Sequence, residues 1–466
     1  MEAWTKATEN IMDDYKADLQ ERLVARPSPD SLSCVDPHCR NQSHTSDRDS
    51  FMLDILCSVV ESSHCVIPLA GGSKGGPNKS GLTSGCVPGW KEEVEPLCED
   101  AKFWHAVWVS AGKPHQGDLH TAMARSRNIY HYGVRKASRQ ADLLKAKKLF
   151  EASLSSDIEL LKKMKKVRSG GNGVAELPDN VAGAEGEDEI VGKFREVYSA
   201  LYNSSSTAEE VQSVKERLEG LINMGSMDEV SKITGETVKA AAGLMKVGKA
   251  DISEGYSSDA ILNGPDVLFE QLATVFRSWC VHGTVTPTLL ACAFLPLLKS
   301  ALKNPADPGS YRAIAGSSII LKLFDKVVLL LWGHLLCTDP LQFGYKMGTS
   351  TTQCSWLVQE VANHFLRLGS HSMITLLDCS KAFNTCQYST LFSRLLERGM
   401  PAIIVRVIIF VYEQQYAWVK WGSARSSIFP IVNGTRQGSI LSPALFALYV
   451  DELLIDDLTF IRLIIL

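Results

Sequence analysis

Asp378 closes a short apolar run, SMITLL at residues 372–377. A strand ending on a carboxylate can hold it rigidly toward a divalent cation, and Mg2+ takes oxygen ligands in strict octahedral geometry. Phosphoryl transfer to a 3′-hydroxyl uses two such ions, one on the attacking oxygen and one on the leaving oxygen. One carboxylate does not hold two ions, so a second acidic cluster must face it. On the strand pattern alone Asp378 reads as a polar strand terminus.

A second group of candidate ligands sits near the start. CVDPHCRNQSH supplies Cys34, His38, Cys39 and His44, with Cys57 or Cys65 available as a further donor. The Cys-x4-Cys-x4-His spacing is looser than that of strong zinc sites. The expectation is a loop without Zn2+.

A third feature is electrostatic. Thr121–Arg168 holds thirteen Lys or Arg against four Asp or Glu, a local net charge of about +9, with Tyr130 and Tyr132 among the arginines. One sign dominates over this length, and aromatic rings between cations can stack on bases. Arg125, Arg127, Arg135, Lys136, Lys162, Lys163, Lys165 and Lys166 are therefore candidate nucleic-acid contacts. The alternative is a solvated helix face.

These residues need elements to position them. Residues 1–65 read as a helical segment, with helices over 1–25 and 51–65 around the Cys/His cluster. Residues 66–89, with seven glycines, read as a linker. Residues 90–168 read as long basic helices. Residues 169–190 carry six acids, no base and five glycines, and read as an acidic linker. Helical stretches follow over 191–222 and 234–248, and GPDVLFEQLATVFRSWC has the i, i+3, i+4, i+7 pattern of an amphipathic helix. Strands and helices alternate from about residue 305. Residues 388–398 read as a helix closed by Gly399 and Pro401, followed by a strongly apolar helix. Residues 417–421 and 428–432 read as a hairpin around GSARSS. Ser442-Pro443 reads as an N-cap and first-turn proline opening a helix to about Leu454. The fold class expected is α+β.

Composition narrows the functional classes. The 466 residues are 45% hydrophobic and 21% charged, which permits a sizeable core and argues against wholesale disorder. The net charge of −4 means that nucleic acid must be met by a local patch. No apolar run reaches the roughly 18 residues of a membrane span, so no membrane partner is expected. The opening MEAWTKATENIMDDYK lacks the apolar core of a secretory signal. Twelve scattered cysteines then read as reduced thiols of an intracellular protein, in the cytoplasm or nucleus.

Four blocks carry a resemblance: NPADPGSYRAIAGSSIILKLFDKV, LQFGYKMGTSTTQC, LLDCSKAFNTCQYSTLFSRLLERGMP and NGTRQGSILSPALFALYVDELL. In this order they resemble the reverse transcriptase domain of non-LTR (LINE-type) retrotransposons, over roughly residues 240–456. Upstream, VPGWKEEVEPL, FWHAVWVSAGKP and ARSRNIYHYGVRK resemble the connector that follows the endonuclease in such elements, and no endonuclease is seen. The resemblance implies right-hand polymerase fingers and partial palm over 191–456, with the thumb absent and an unrelated apolar tail over 457–466. It implies an RNA template, a DNA primer and Mg2+. Asp378 would bind both metal ions, assisted by the carbonyl of Cys379. Phe383 would be the steric gate against a ribose 2′-OH. Gln437 and Gly438 would line the incoming nucleotide and template base. Arg312 would reach the triphosphate, with Lys322 a weaker candidate.

Two departures stand out. Asn384 replaces the family's usual Asp, which implies altered local hydrogen bonding. The Tyr/Phe-Ala-Asp-Asp block that supplies the facing carboxylates is absent from the 466 residues. YVDE at 449–452 and the pair Asp456-Asp457 do not replace it, because they belong to the helix after the Gln-Gly turn and its far end. The expectation is a polymerase by descent, with weak Mg2+ binding and no activity in this chain. A non-catalytic RNA- or DNA-binding remnant, or an inert product of a decayed element, is the alternative.

Overall fold

The computed structural model describes residues 4, 7–68, 94–139, 178, 180–202, 208–251, 255–300, 303–346, 348–371, 373–374 and 382–451. Two compact units divide the chain: Met1–Gly71 with Pro178–Leu466, and Gly72–Leu177.

In the first unit, α1 (Glu9–Val24) and α2 (Gln42–Val66) lie against each other. α2 starts well before residue 51 because Asn41 caps it, its side chain accepting the Ser43 N–H at 3.0 Å. The N-terminal segment is not a body of its own. Tyr15, Leu19, Phe51, Met52 and Ile55 are buried in the same core as Trp279, Phe324 and Ile404. Sequence periodicity shows which face of a helix is apolar but not what covers it.

In the second unit, α3 (Glu95–Ser110) packs on α4 (Asp118–Arg139). The turn between them is held by the Trp108 indole, which donates to the Pro114 carbonyl at 2.8 Å. A side chain at Gly133 would stand 2.6 Å from Leu97, so the missing Cβ lets the two helices approach.

The first unit resumes with a two-residue hairpin, β1 (Asn180–Val181) and β2 (Ala184–Glu185), and then α5 (Glu187–Leu201). The acidic stretch read as linker over 169–190 thus ends inside structure. Glu187 opens α5, where carboxylates suit the helix N-terminus, and accepts the Ser423 N–H at 2.8 Å. Helices α6 (Ala208–Leu221), α7 (Ser226–Ser231), α8 (Gly235–Gly243) and α9 (Ser258–Leu262) lead to α10 (Asp266–His282). α10 is the axis of the helical core: Leu268, Leu272, Val275, Phe276 and Trp279 are fully buried, and α1, α2, α8 and α14 (Ala402–Gln414) pack on it.

Among the described residues one five-stranded sheet forms. β3 (Ala291–Leu298) lies between β4 (Tyr311–Ser317), antiparallel, and β5 (Tyr416–Trp421), parallel. β6 (Ala424–Arg425) and β7 (Phe429–Pro430) both pair antiparallel with β5, which is the hairpin expected around GSARSS. α5 covers this sheet through Phe194, whose ring lies 5.0 Å from Tyr311 and 5.1 Å from Trp421. α11 (Ile319–Trp332), α12 (Thr351–Arg367), α13 (Tyr388–Glu397), α14 and α15 (Ser442–Val450) complete the α+β fold. No described helix is long and apolar enough to cross a membrane.

Of the run 372–377 only Met373 and Ile374 are described, and both are exposed; the rest of the strand expected to end on Asp378 lies outside the described residues. One local reading changes. Ser442 is not the N-cap of α15. It lies in the first turn, and its hydroxyl donates to the Arg436 carbonyl at 2.6 Å.

Candidate active site and nucleic-acid interface

Three sequence blocks meet around Phe383. Its half-buried ring stacks on Phe446 of α15, with centroids 4.3 Å apart and planes at 24°. Tyr345 closes the group edge-on, 5.4 Å from Phe383 and 5.9 Å from Phe446. Tyr345 is half exposed and has a left-handed backbone, φ 56°. Strained backbone of this kind persists only where its surroundings enforce it.

The loop before α15 ties this group to the sheet. Thr435 N–H donates to the Phe383 carbonyl at 2.7 Å, Gly434 N–H to the Cys386 carbonyl at 2.9 Å, and Asn433 Nδ2 to the Asn384 carbonyl at 2.6 Å. Gly438, at φ 83°, then crosses the end of β4 so closely that a Cβ would stand 2.6 Å from the Ala315 carbonyl oxygen. Ser317 Oγ donates to the Gly438 carbonyl at 3.3 Å. Glycine is needed here, and the close approach is to the chain's own backbone.

α11 holds the other side of the turn. Asp251 accepts the Ile319 N–H at 2.6 Å and Ser318 accepts that of Ile320, fixing the helix start. One turn on, Asp325 accepts from Ser439 Oγ at 2.7 Å and from the Ile440 N–H at 3.0 Å. Burial pushes the Asp325 carboxyl up, against the opposing pull of Arg436 and Ser439. Arg436 is itself buried, and its Nη2 reaches the Leu289 carbonyl at 3.5 Å.

The expected nucleotide-binding residues divide. Phe383, Gln437 and Gly438 share this neighbourhood. Lys322 is half-buried and donates to the Ser317 carbonyl at 3.1 Å, and burial lowers its pKa. Its ammonium is engaged by the end of β4. Arg312 is exposed on β4, opposite Leu297, and among the described residues it has no ion-pair partner. Asp378 and Cys379 lie outside the described residues. Tyr345, Phe446, Asp325 and Arg436 went unassigned in the sequence although all four stand inside the quoted blocks. Their roles depend on partners in other blocks.

Asp451 has a structural task. It is buried and accepts the Asp339 N–H at 2.9 Å, Gln342 Nε2 at 2.6 Å and Arg398 Nη2 at 2.5 Å. Its oxygens are committed to bracing α15.

On α4, Arg125 and Arg127 are both exposed, on different faces. Arg125 shares a face with Thr121, Asn128 and Tyr132, which line a shallow groove of about 650 Å3. The side chains of Arg135 and Lys136, and residues Lys162, Lys163, Lys165 and Lys166, lie outside the described residues.

Residues 301–461 match the reverse transcriptase (RNA-dependent DNA polymerase) family. The chain carries a reverse transcriptase domain. Its relatives include the RNA-directed DNA polymerase from mobile element jockey of Drosophila melanogaster, 24% identical over 52% of this chain and 26% of that protein. They also include the Retrovirus-related Pol polyprotein from type-2 retrotransposable element R2DM of Drosophila melanogaster, 26% identical over 38% of this chain and 16% of that protein. The corresponding type-1 element R2 polyprotein of Bradysia coprophila is 26% identical over 33% of this chain and 18% of that protein. The domain is thus related to the polymerases of LINE-type retrotransposons, and the chain spans about a quarter or less of these relatives' length.

Proposed function

We propose that the reverse transcriptase domain holds an RNA template with a DNA primer, as the nucleic-acid-binding part of an RNA-directed DNA polymerase. The observation that carries this reading is the junction of Phe383 with the Gln437-Gly438 turn. The Thr435–Phe383 bond joins the backbone that carries this aromatic ring to the loop leading into a turn whose backbone is fixed from both β4 and α11. Such a ring suits a nucleotide sugar or base, and Arg312 suits phosphate oxygens. In this reading β3, β4 and α11 are the fingers, and α13–α15 with β5–β7 are the part of the palm present.

Asp378 and the Cys379 carbonyl are hard oxygen donors of the kind Mg2+ takes, and would supply one side of a two-ion site. Bound there, Mg2+ would stabilise charge on the attacking and leaving oxygens. The residues' own tasks are simpler. Phe383 excludes the 2′-OH, the Gln437-Gly438 turn seats the template base, and Arg312 orients the triphosphate.

Within the 466 residues no Tyr/Phe-Ala-Asp-Asp block occurs, and Asp451 is committed elsewhere. These two observations favour a second reading, in which this chain binds template and primer without extending them. The basic segment over residues 121–168 would then supply sequence-independent contacts to phosphate.

Binding of an RNA–DNA hybrid, followed by fluorescence anisotropy across a salt series, tests both readings. Affinity should fall steeply with salt, by about 0.7–0.9 in log K per decade for each phosphate contact. Changing Lys162, Lys163, Lys165 and Lys166 to Glu should flatten that slope and weaken binding to all sequences alike. Unchanged affinity at low salt would remove the basic segment from the interface.

A further inference from the structure

The loop between α1 and α2 gathers side chains that the polymerase reading does not use. Cys34, Cys39 and His44 each present a donor atom, and the three atoms lie within 4.8 Å of one another. Cys39 Sγ is 3.5 Å from His44 Nδ1. An ion bound at about 2.3 Å to sulfur and about 2.0–2.1 Å to nitrogen separates a tetrahedral S,N pair by about 3.5 Å. That edge already has ligand spacing.

The loop is pre-shaped for the purpose. Burial raises the pKa of the Cys34 thiol, and the Asp36 backbone N–H beside its sulfur only partly opposes this. The Asp36 carbonyl accepts the Cys39 N–H at 3.1 Å. Arg406, buried on α14, donates to the Pro37 carbonyl at 2.8 Å and to the Cys280 and Val281 carbonyls at 2.9 and 2.8 Å. One guanidinium therefore fastens the cysteine loop to the last turn of α10.

α10 ends on His282, a residue only 5% exposed. Its ring faces His44 edge-on, with centroids 5.6 Å apart and planes at 73°. Two imidazoles on one tetrahedral ion have ring centres about 5 Å apart. The Cys39 backbone lies beside the His282 ring, yet neither ring nitrogen has a hydrogen-bond partner among the described residues. Buried polar atoms are as a rule satisfied, so an imidazole with both nitrogens unmatched points to an absent partner.

We propose that Cys34, Cys39, His44 and His282 bind one Zn2+ ion. Thiolate and imidazole donors in tetrahedral array suit Zn2+ and not Mg2+. Both thiols release their protons to solvent and both imidazoles bind neutral. Two thiolates cancel the charge of the ion, so the site adds no net charge beside the buried Arg48 and Arg406. Cys57 and Cys65 are not the fourth ligand: both are exposed further along α2, whereas His282 is buried with its ring against His44. His38 is exposed and turns its Nδ1 toward Glu219, 4.0 Å away. The ion ties the N-terminal segment to α10, and so to the helical core that both share.

The test uses the full chain, expressed with added Zn2+ and purified under reducing conditions. Elemental analysis should return one Zn2+ per chain, and X-ray absorption at the zinc edge should count two sulfur and two nitrogen donors. Co2+ exchanged into the site should show tetrahedral d–d bands with thiolate charge transfer. His282→Ala should keep the charge transfer, alter the d–d bands and weaken Zn2+ binding at least about tenfold in competition with a chromophoric chelator, since even second-shell losses cost 10–100-fold. Cys57→Ser with Cys65→Ser should change nothing. A chain without zinc, a Cys34–Cys39 disulfide in its place, a donor count other than two sulfurs and two nitrogens, or unchanged bands in His282→Ala would each overturn the assignment. The wild-type donor count decides the matter even where a variant fails to fold.

Discussion

Thr435 donates its backbone N–H to the Phe383 carbonyl across 2.7 Å, and the bonds from Asn433 and Gly434 to Asn384 and Cys386 flank it. Two segments about fifty residues apart in the chain are thereby laced together. The backbone at Phe383 and the loop leading to Gln437-Gly438 are one hydrogen-bonded unit.

Gly434 is the most exacting position in that lacing. Its φ is 84°, and a Cβ would stand 2.7 Å from the Phe383 carbonyl oxygen and 2.8 Å from Asn384 Cα. Gly369 has a similar φ of 74° with open space around it. Gly369→Ala should cost about 1–2 kcal/mol, the left-handed penalty alone. Gly434→Ala should cost roughly 2–4 kcal/mol, because rigid backbone must also shift. Urea unfolding of the two variants measures the difference, and equal midpoints would mean that the lacing is loose.

Phe383 can be tested as the gate by grafting this domain's palm residues into an active relative. Phe383→Ala in that chimaera should raise ribonucleotide use relative to deoxyribonucleotide by roughly tenfold or more, the scale of discrimination that one apolar contact supplies. Phe446→Ala should raise it less, since Phe446 only supports the ring from behind at 4.3 Å. An unaltered ratio in Phe383→Ala would make the residue part of the core.

Asp325 gives a pH dependence. Burial raises its folded-state pKa above the unfolded value of about 3.9, so the folded chain holds the proton longer than the unfolded chain. Its contribution to stability is then fully present below pH ~3.9 and declines as pH rises through the folded pKa. Asp325→Asn removes that titration. The stability of wild type minus variant should fall between pH 4 and the folded pKa and then level off. A difference that grows over that range would show that Arg436 and Ser439 outweigh burial.

Asp451 should behave as a brace and not as a metal ligand. Asp451→Ala leaves the Arg398 guanidinium and two N–H donors without their acceptor, and should cost about 2–4 kcal/mol with Arg398 partly solvated. The 466-residue chain should not extend an RNA-templated primer with Mg2+ or Mn2+. Extension abolished by Asp378→Ala would show that Asp451, Asp456 or Asp457 completes the site after all.

Much of the helical structure was legible in advance. α10, α13 and α14 announce themselves by apolar spacing and by Gly399 and Pro401, because caps and amphipathic faces are local properties. The hairpin at β5–β7 was legible for the same reason. Ser442 was misread because a serine before proline satisfies the cap pattern, while its hydroxyl is drawn to the Arg436 carbonyl six residues back.

The sequence by itself determined the family. The motifs around Asp378, Phe383 and Arg436-Gln437-Gly438 depend on which residue types a polymerase needs, and those types are written in order along the chain. Only the tertiary structure decided which residues share a neighbourhood: that Phe383 rests on Phe446, that Asp325 pins the turn after Gly438, that Asp451 is spent on Arg398, and that His44, grouped with Cys34 and Cys39, meets the ring of His282 at the end of α10. Each of these joins positions far apart in sequence. Their proximity follows from burying helix and sheet faces against one another, and one-dimensional spacing carries no record of that packing.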